Sequence, residues 1–242
     1  GNTTTLRSVG VKLKGAAGSY RDFDDRPGLT LSFNKFKKGQ RWNGMEKVHL
    51  NNLVQDESYL SEWLGTQIFR RAGYPAALAG HVRLWINDRD MGIYVLREGF
   101  DRTFLKREFG DSDGHLYDRG EAGDVDTELE MDVGDDPEER SDLIGLAIAS
   151  VQPDPATRWP QISQRADLDR LLTFMALERL CGHWDGYSQA VNNYRIYFPK
   201  KAKALFLPHG MDQLFQDPGA GLFDESPGLV TSAVMENDSW RK

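Results

Sequence analysis

The stretch CGHWDGYSQAVNNYRIYF, residues 181–198, decides how the rest of the chain is read. It follows the most apolar segment, DLDRLLTFMALERLCGHW (167–184). There Leu168, Leu171, Leu172, Met175 and Leu180 share one side, and Phe174 and Leu177 fill most of another. That pattern predicts a core helix, with Asp185 at its exit. NYRIYF (193–198) and ALFL (204–207) then read as strands joined by the basic turn PKKAK, and the second strand runs into PHGMDQLF (208–215). A hairpin returns the chain to its starting point. Asp212 is therefore expected beside Asp185, Asn192 and Asn193, although 27 residues separate the two aspartates.

Two carboxylates and a carboxamide at one hairpin mouth are what phosphoryl transfer requires. One carboxylate orients the acceptor hydroxyl, while the other and an Asn carbonyl offer hard oxygen ligands to Mg²⁺ on the nucleotide phosphates. Protein kinases keep these parts in the same chain order. A plainer reading makes Asp185 a loop residue that accepts from backbone N–H groups, Asp212 a turn cap, and the two Asn turn residues.

Upstream, SVGVKLKG (8–15), GLTLSFNKF (28–36) and KVHLNN (47–52) alternate as strands. DESYLSEWLGTQIFRRAG (56–73) has helical spacing, with Asp56 as N-cap and Gly73 and Pro75 as the stop. HVRLWIN and MGIYVLRE form a hairpin around DRD, with Val82, Leu84 and Ile86 on one face and Ile93 and Val95 inward. A short helix lies in EGFDRTFLKREFG (98–110). The acidic stretch within 116–143 reads as a solvated, mobile loop. SDLIGLAIASV (141–151) is a helix that PDPATRW (153–159) breaks.

The 242 residues are 39% hydrophobic and 28% charged, as for a globular domain with a real core. A net charge of −7 argues against a nucleic acid polymer or an anionic membrane as partner. No apolar run reaches the roughly 18 residues of a membrane span. The single cysteine, Cys181, excludes an internal disulfide framework and a Cys-based zinc site. The chain starts without Met or a signal peptide and is read as an excised domain.

Four blocks, LNNLVQDESYLSEWLGTQIFRRAGYPA, RLWINDRDMGIYVLREGFD, GHWDGYSQAVNNYRIYF and FLPHGMDQLF, resemble in order those of the CotH kinase family, the spore coat protein H-like atypical protein kinases. The resemblance runs from about Val11 to the C-terminus and is nearest the bacterial branch with HWDGY, NNYR and PHGMDQ. It implies an α+β, protein-kinase-like two-lobed fold: a small antiparallel sheet lobe with one helix (about 1–97) and a mainly helical lobe (about 98–242) with an acidic insert near 118–142. It further implies transfer of the ATP γ-phosphate to Ser or Thr hydroxyls of a protein substrate, with Mg²⁺ or Mn²⁺, in an extracytoplasmic or cell-surface bacterial protein.

By this resemblance Asp185 matches the catalytic Asp, and Asp212 the metal-binding Asp. Asn193 matches the family's Asn, with Asn192 as its rival. Glu98 matches a hinge residue where adenine lies, the other reading being a cap or ion pair. Gly15, Ser19 and Lys14 match a nucleotide-binding loop of RGNSS type. The chain departs from the family in two places. Thr30 and Ser32 stand where a basic strand residue is common, leaving Lys14, Arg26 or Lys35 as the phosphate cation. HGMD carries one carboxylate where WDxD has two. These departures keep open a non-catalytic nucleotide-binding pseudokinase or surface binding module. Glycoside hydrolysis by Asp185 and Asp212 explains neither the Asn pair nor the upstream sheet. His183 is read as structural and Glu62 as an exposed helix residue, with pairing to a phosphate-binding cation as its alternative.

Overall fold

A computed structural model of the chain describes residues 3–16, 18–119 and 123–237. Ala17 of the Gly-rich loop and residues 120–122 of the acidic stretch lie outside these. The chain forms two compact units, Gly1–Gln67 with Ala77–Ser112, and Ile68–Ala76 with Asp113–Lys242.

In the first unit the three alternating runs become β1 (Gly10–Lys14), β2 (Gly28–Ser32) and β3 (Lys47–Asn51). After α1 (Ser61–Arg71), the hairpin β4 (Ala79–Ile86) and β5 (Arg89–Glu98) completes an antiparallel sheet of order β1-β2-β3-β5-β4, and α2 (Arg102–Phe109) follows. Asp56 caps α1 from five residues upstream, its carboxylate accepting from the Ser58 and Ser61 amides. Gly73, with φ of 75°, ends the helical segment.

Leu29, Leu50, Met91 and Tyr94 pack together on one sheet face. Side chains alternate along a strand, so buried Val95 points to the other face. There Trp63 of α1 meets the ring of His81, the cross-strand partner of Val95. Val82 is paired with Tyr94. The expected inward pair of Ile93 and Val95 is thus corrected: Val95 is buried on the α1 side, and Ile93 is 51% exposed. A register offset of one residue moves a side chain to the opposite face.

The second unit contains β6 (Gly114–Asp118), β7 (Glu130–Val133), α3 (Ser141–Ser150), α4 (Pro155–Arg165), α5 (Leu168–Leu180), α6 (Tyr187–Ala190), β8 (Tyr194–Pro199), β9 (Leu205–Pro208) and α7 (Leu229–Met235). Its sheet has the order β7-β6-β8-β9, all antiparallel. Leu146, Ile162, Phe174, Tyr187, Tyr194 and Phe206 belong to one core, in which Tyr187 and Phe206 stack at 4.4 Å. The chain is α+β, with two antiparallel sheets and seven helices among the described residues.

PDPATRW breaks α3, which ends at Ser150, and its second half then starts α4. Asp154 caps that helix by accepting from the Ala156 amide, and Pro155 occupies the first turn, where its missing N–H costs nothing. Two local expectations are overturned here. Leu180, expected in the core, is exposed on the last turn of α5. The acidic stretch is not a solvated loop among its described residues. It supplies β7 and the edge of β6, buries Val125 and Leu129, and bonds Asp124 to the Tyr187 hydroxyl (2.7 Å) and the Leu229 amide (2.6 Å). Burial pushes the Asp124 carboxyl above its usual range, against the hydrogen bonds that lower it.

Tyr187→Phe removes the hydroxyl that joins Asp124 to the Val230 amide. Unfolding by urea is expected to show a loss of about 1–3 kcal/mol, the cost of stranding buried polar partners.

Candidate active site

The turn from α5 into α6 is built on a buried acid. Glu178 is fully buried, and its carboxylate accepts from the Tyr187 amide (3.0 Å), the Ser188 amide (2.9 Å) and the Ser188 hydroxyl (2.6 Å). His183 Nδ1 lies 3.4 Å from Glu178 Oε1. Gly186 is required because a side chain there would run into the Glu178 carboxylate and the His183 ring. The sequence reading missed Glu178. The signal was an acid set among the apolar residues Phe174, Met175 and Leu177 in the later turns of α5.

Asp185 sits on this turn, and its partners are side chains. Asn192 Nδ2 donates to Asp185 Oδ1 (2.7 Å), and Asn193 Nδ2 to Oδ2 (2.6 Å). Among the described residues no backbone N–H reaches this carboxylate, so the plainer loop reading does not describe it. Val191 (φ 52°) and Asn193 (φ 42°) both take the left-handed conformation, which turns both Asn side chains toward Asp185.

Asn193 also joins the turn to the far end of the hairpin. Its carbonyl accepts from the His209 amide at 3.2 Å. With Nδ2 donated to Asp185, its Oδ1 lies against Gly210, where a Cβ would overlap it. His183 Nε2 lies 3.3 Å from the Gly210 carbonyl, which can only accept, so His183 donates. Asp212 follows two residues later, half-buried, and its carboxylate has no protein partner among the described residues. The structure thus brings Asp185, Asn192 and Asn193 into direct contact and sets Asp212 just beyond the clasped Gly210. No three His, Cys, Asp or Glu side chains form a ready metal cluster among the described residues. The available hard donors are the Asp212 carboxylate and the Asn carbonyl oxygens, with Gly210 leaving open the space beside Asn193 Oδ1.

Burial alone lowers the His183 pKa, but the Glu178 hydrogen bond and charge and the Gly210 carbonyl outweigh it, leaving the group above its ordinary value. Burial and Glu178 push the Cys181 thiol up to about 11, so it is no nucleophile at neutral pH.

In the first unit, Lys14 Nζ donates to Asn51 Oδ1 (2.5 Å), Asn51 Nδ2 donates to Glu62 Oε2 (3.3 Å), and Glu62 Oε1 lies 3.4 Å from Arg97 Nε. Glu62 is therefore buried and ion-paired, not an exposed helix residue, and Asn51 and Arg97 are functional candidates that the sequence did not single out. Arg26 is held against the rings of Tyr59 and Tyr94, and Lys35 is exposed. Of the three cations considered, Lys14 alone is tied to the acid on α1. Gly15 has φ of 126°, and a Cβ there would meet the Tyr20 backbone at 2.9 Å. The Ser19 hydroxyl accepts from the Ala16 amide within the turn. Both oxygens of buried Glu98 pair with Arg107, and one also accepts from the Leu78 amide. The ion-pair reading is the one its side chain adopts.

Two predictions concern the Gly210 clasp. Gly210→Ala is expected to cost at least about 1–2 kcal/mol in urea unfolding, the strain of a left-handed non-glycine residue, and to displace Asn193 from Asp185. Because the folded-state pKa of His183 is raised, its stabilisation is complete below about pH 6.5 and is lost as pH rises through the higher folded value. The stability difference between the wild type and His183→Gln is expected to be larger at pH 6 than at pH 9.

Comparison with known proteins follows the same blocks of sequence. The model of the CotH kinase protein family matches residues 11–239. Invasin CotH7 of the fungus Rhizopus delemar is 25% identical over 228 residues, covering 88% of this chain and 37% of the relative. Spore coat protein homolog 1 of the same fungus is 28% identical over 179 residues, 69% of this chain and 29% of the relative. The chain spans about a third of the length of these curated relatives. Both are fungal, whereas the motifs resemble the bacterial branch. No helix among the described residues is long and apolar enough to cross a membrane.

Proposed function

We propose that this chain, which belongs to the CotH kinase protein family, is an ATP-dependent protein kinase acting on Ser or Thr hydroxyls. The observation that carries the reading is Asp185, whose two oxygens are fixed by the carboxamides of Asn192 and Asn193 instead of by backbone. A carboxylate so held is pre-oriented for an acceptor hydroxyl, and positioning contributes much of the rate in phosphoryl transfer. Asp185 takes the hydroxyl proton as the oxygen bonds to the γ-phosphorus and the bond to the ADP oxygen breaks.

The residues fit a hard divalent cation. Asp212 and the Asn193 carbonyl oxygen, with Asn192 as the alternative, would hold Mg²⁺ or Mn²⁺. The remaining positions would be filled by phosphate oxygens and water, as Mg²⁺ sites commonly are. When bound, the metal supplies charge neutralisation on the phosphates. Lys14, anchored through Asn51 to Glu62, is the proposed phosphate cation, and Gly15 gives the loop close backbone approach. Neither the Glu98 carboxylate, engaged by Arg107, nor the Glu98 amide, which donates to the Leu78 carbonyl, is left for an adenine. The names of the relatives, an invasin and a spore coat homolog, support a surface-associated setting.

With labelled ATP, Mn²⁺ or Mg²⁺ and a generic Ser/Thr acceptor, Asp185→Ala is expected to lower phosphate transfer by 10²-fold or more, the order of a lost general base. Asp212→Ala is expected to abolish metal-dependent ATP binding as well. Equal incorporation by the wild type and Asp212→Ala overturns the metal role. ATP binding without turnover in the wild type favours the pseudokinase alternative.

A further inference from the structure

Around the turn that carries Asp185, the second unit exposes large apolar side chains. Leu180 closes α5, Trp184 immediately precedes Asp185, and Phe215 comes three residues after Asp212. All three are between 45% and 66% exposed. The Phe215 amide donates to the Cys181 carbonyl (2.9 Å) and the Trp184 amide to the Gly182 carbonyl (2.9 Å), so the backbones that bear them meet at one turn. Leu214 is buried in the core, whereas Phe215, with φ of 61°, stands at the surface in a conformation that a bulky L residue rarely adopts. Strain of this kind persists where the surrounding structure enforces it, and it gathers at functional sites.

The chain then runs outward as FQDPGAGLFDE (215–225) and is tied back to the same helix end, where Arg179 Nη2 donates to the Asp224 (3.1 Å) and Glu225 (2.9 Å) carbonyls. This loop exposes Leu222 and Phe223 together with the acids Asp217, Asp224 and Glu225. The sequence from Asp212 to Gly228 contains no Lys or Arg. Arg179, the cation that holds the loop, is engaged by main-chain carbonyls. Exposed apolar surface rimmed by polar residues marks a site of interaction, and an acidic rim favours a partner that carries cations.

We propose that this surface docks the acceptor segment of a protein substrate, selecting a Ser or Thr beside large apolar residues with Lys or Arg further along. This inference rests on the kinase reading. Trp184 and Asp185 are neighbours, so a segment that covers the Trp184 ring passes the Asp185 carboxylate. Phe215 lies on the other side of the same turn, and the loop acids meet the segment's cations. A second copy of this chain is a poorer occupant, because a two-fold contact sets the same acidic loop against itself.

The test is fluorescence anisotropy, without ATP, of a dye-labelled peptide carrying Phe and Leu beside one Ser and two Arg beyond them. One control peptide has Gly in place of Phe and Leu, and another has Glu in place of Arg. The first peptide is expected to bind the folded chain, and each control to bind about tenfold more weakly or less. Phe215→Gly is expected to weaken the first peptide about tenfold, through the apolar area no longer covered. Its circular dichroism spectrum is expected to match the wild type, since glycine adopts φ of 61° without strain. Glu225→Arg is expected to weaken the Arg peptide and to strengthen the Glu control. Binding of the first peptide with no transfer from ATP to any acceptor overturns the kinase reading but supports the docking surface. Transfer to a generic acceptor with equal binding of all three peptides overturns the docking surface alone. So does unchanged affinity in Phe215→Gly, or dimerisation in sedimentation that Phe215→Gly abolishes.

Discussion

A completely buried carboxylate, that of Glu178, is the constraint from which the active-site geometry follows. An ionised acid without water is tolerable only if its lone pairs are filled and a positive charge lies near. Glu178 achieves this by accepting from two α6 amides and the Ser188 hydroxyl and by lying beside His183. Those same bonds dictate the path of residues 182–188. The residue facing the acid must be glycine, which explains Gly186, and the residue before that glycine, Asp185, points away from Glu178 to meet the Asn pair.

His183 carries the constraint across the hairpin. One ring nitrogen faces Glu178 and the other the Gly210 carbonyl, while Asn193 reaches the same loop through the His209 amide. The end of the hairpin is thereby positioned by the turn at its start, through one bond at His209 and one at Gly210, two residues before Asp212. In the first unit the same logic recurs in the buried Glu62–Arg97 pair, which reaches Lys14 through Asn51. In both units a hidden ion pair on a helix organises a polar group that faces outward.

Much of this was legible in the sequence. Alternation marked β1, β2 and β3, short apolar runs around a basic turn marked β8 and β9, and helical spacing marked α1 and α5. The hairpin argument returned the chain from Asn193 to the loop at His209 and Gly210. The errors share a cause. Ile93 was misassigned because alternation puts it on the same face as Val95 but does not say how far along the strand that face is covered. Glu62 and Glu178 were read as ordinary or overlooked because burial of a charge depends on a partner distant in the chain. The acidic stretch was read as solvent-borne because composition averages over Val125, Leu129 and Asp124, whose partners lie 63 to 105 residues away for Asp124.

The sequence by itself therefore determined the order of β1 to β5, α1, α2, α3, α5, β8 and β9 and the chain order Asp, Asn, hairpin, Asp, because local periodicity and turn chemistry are properties of neighbouring residues. The family resemblance carried the α+β class. Only the tertiary structure decided that both asparagines hold Asp185, that Glu98 is engaged by Arg107, and that Lys14 is the cation tied to α1. Each of these turns on where a side-chain donor finds its acceptor across a turn, a helix or a sheet. That choice is made by packing, which residue spacing does not encode.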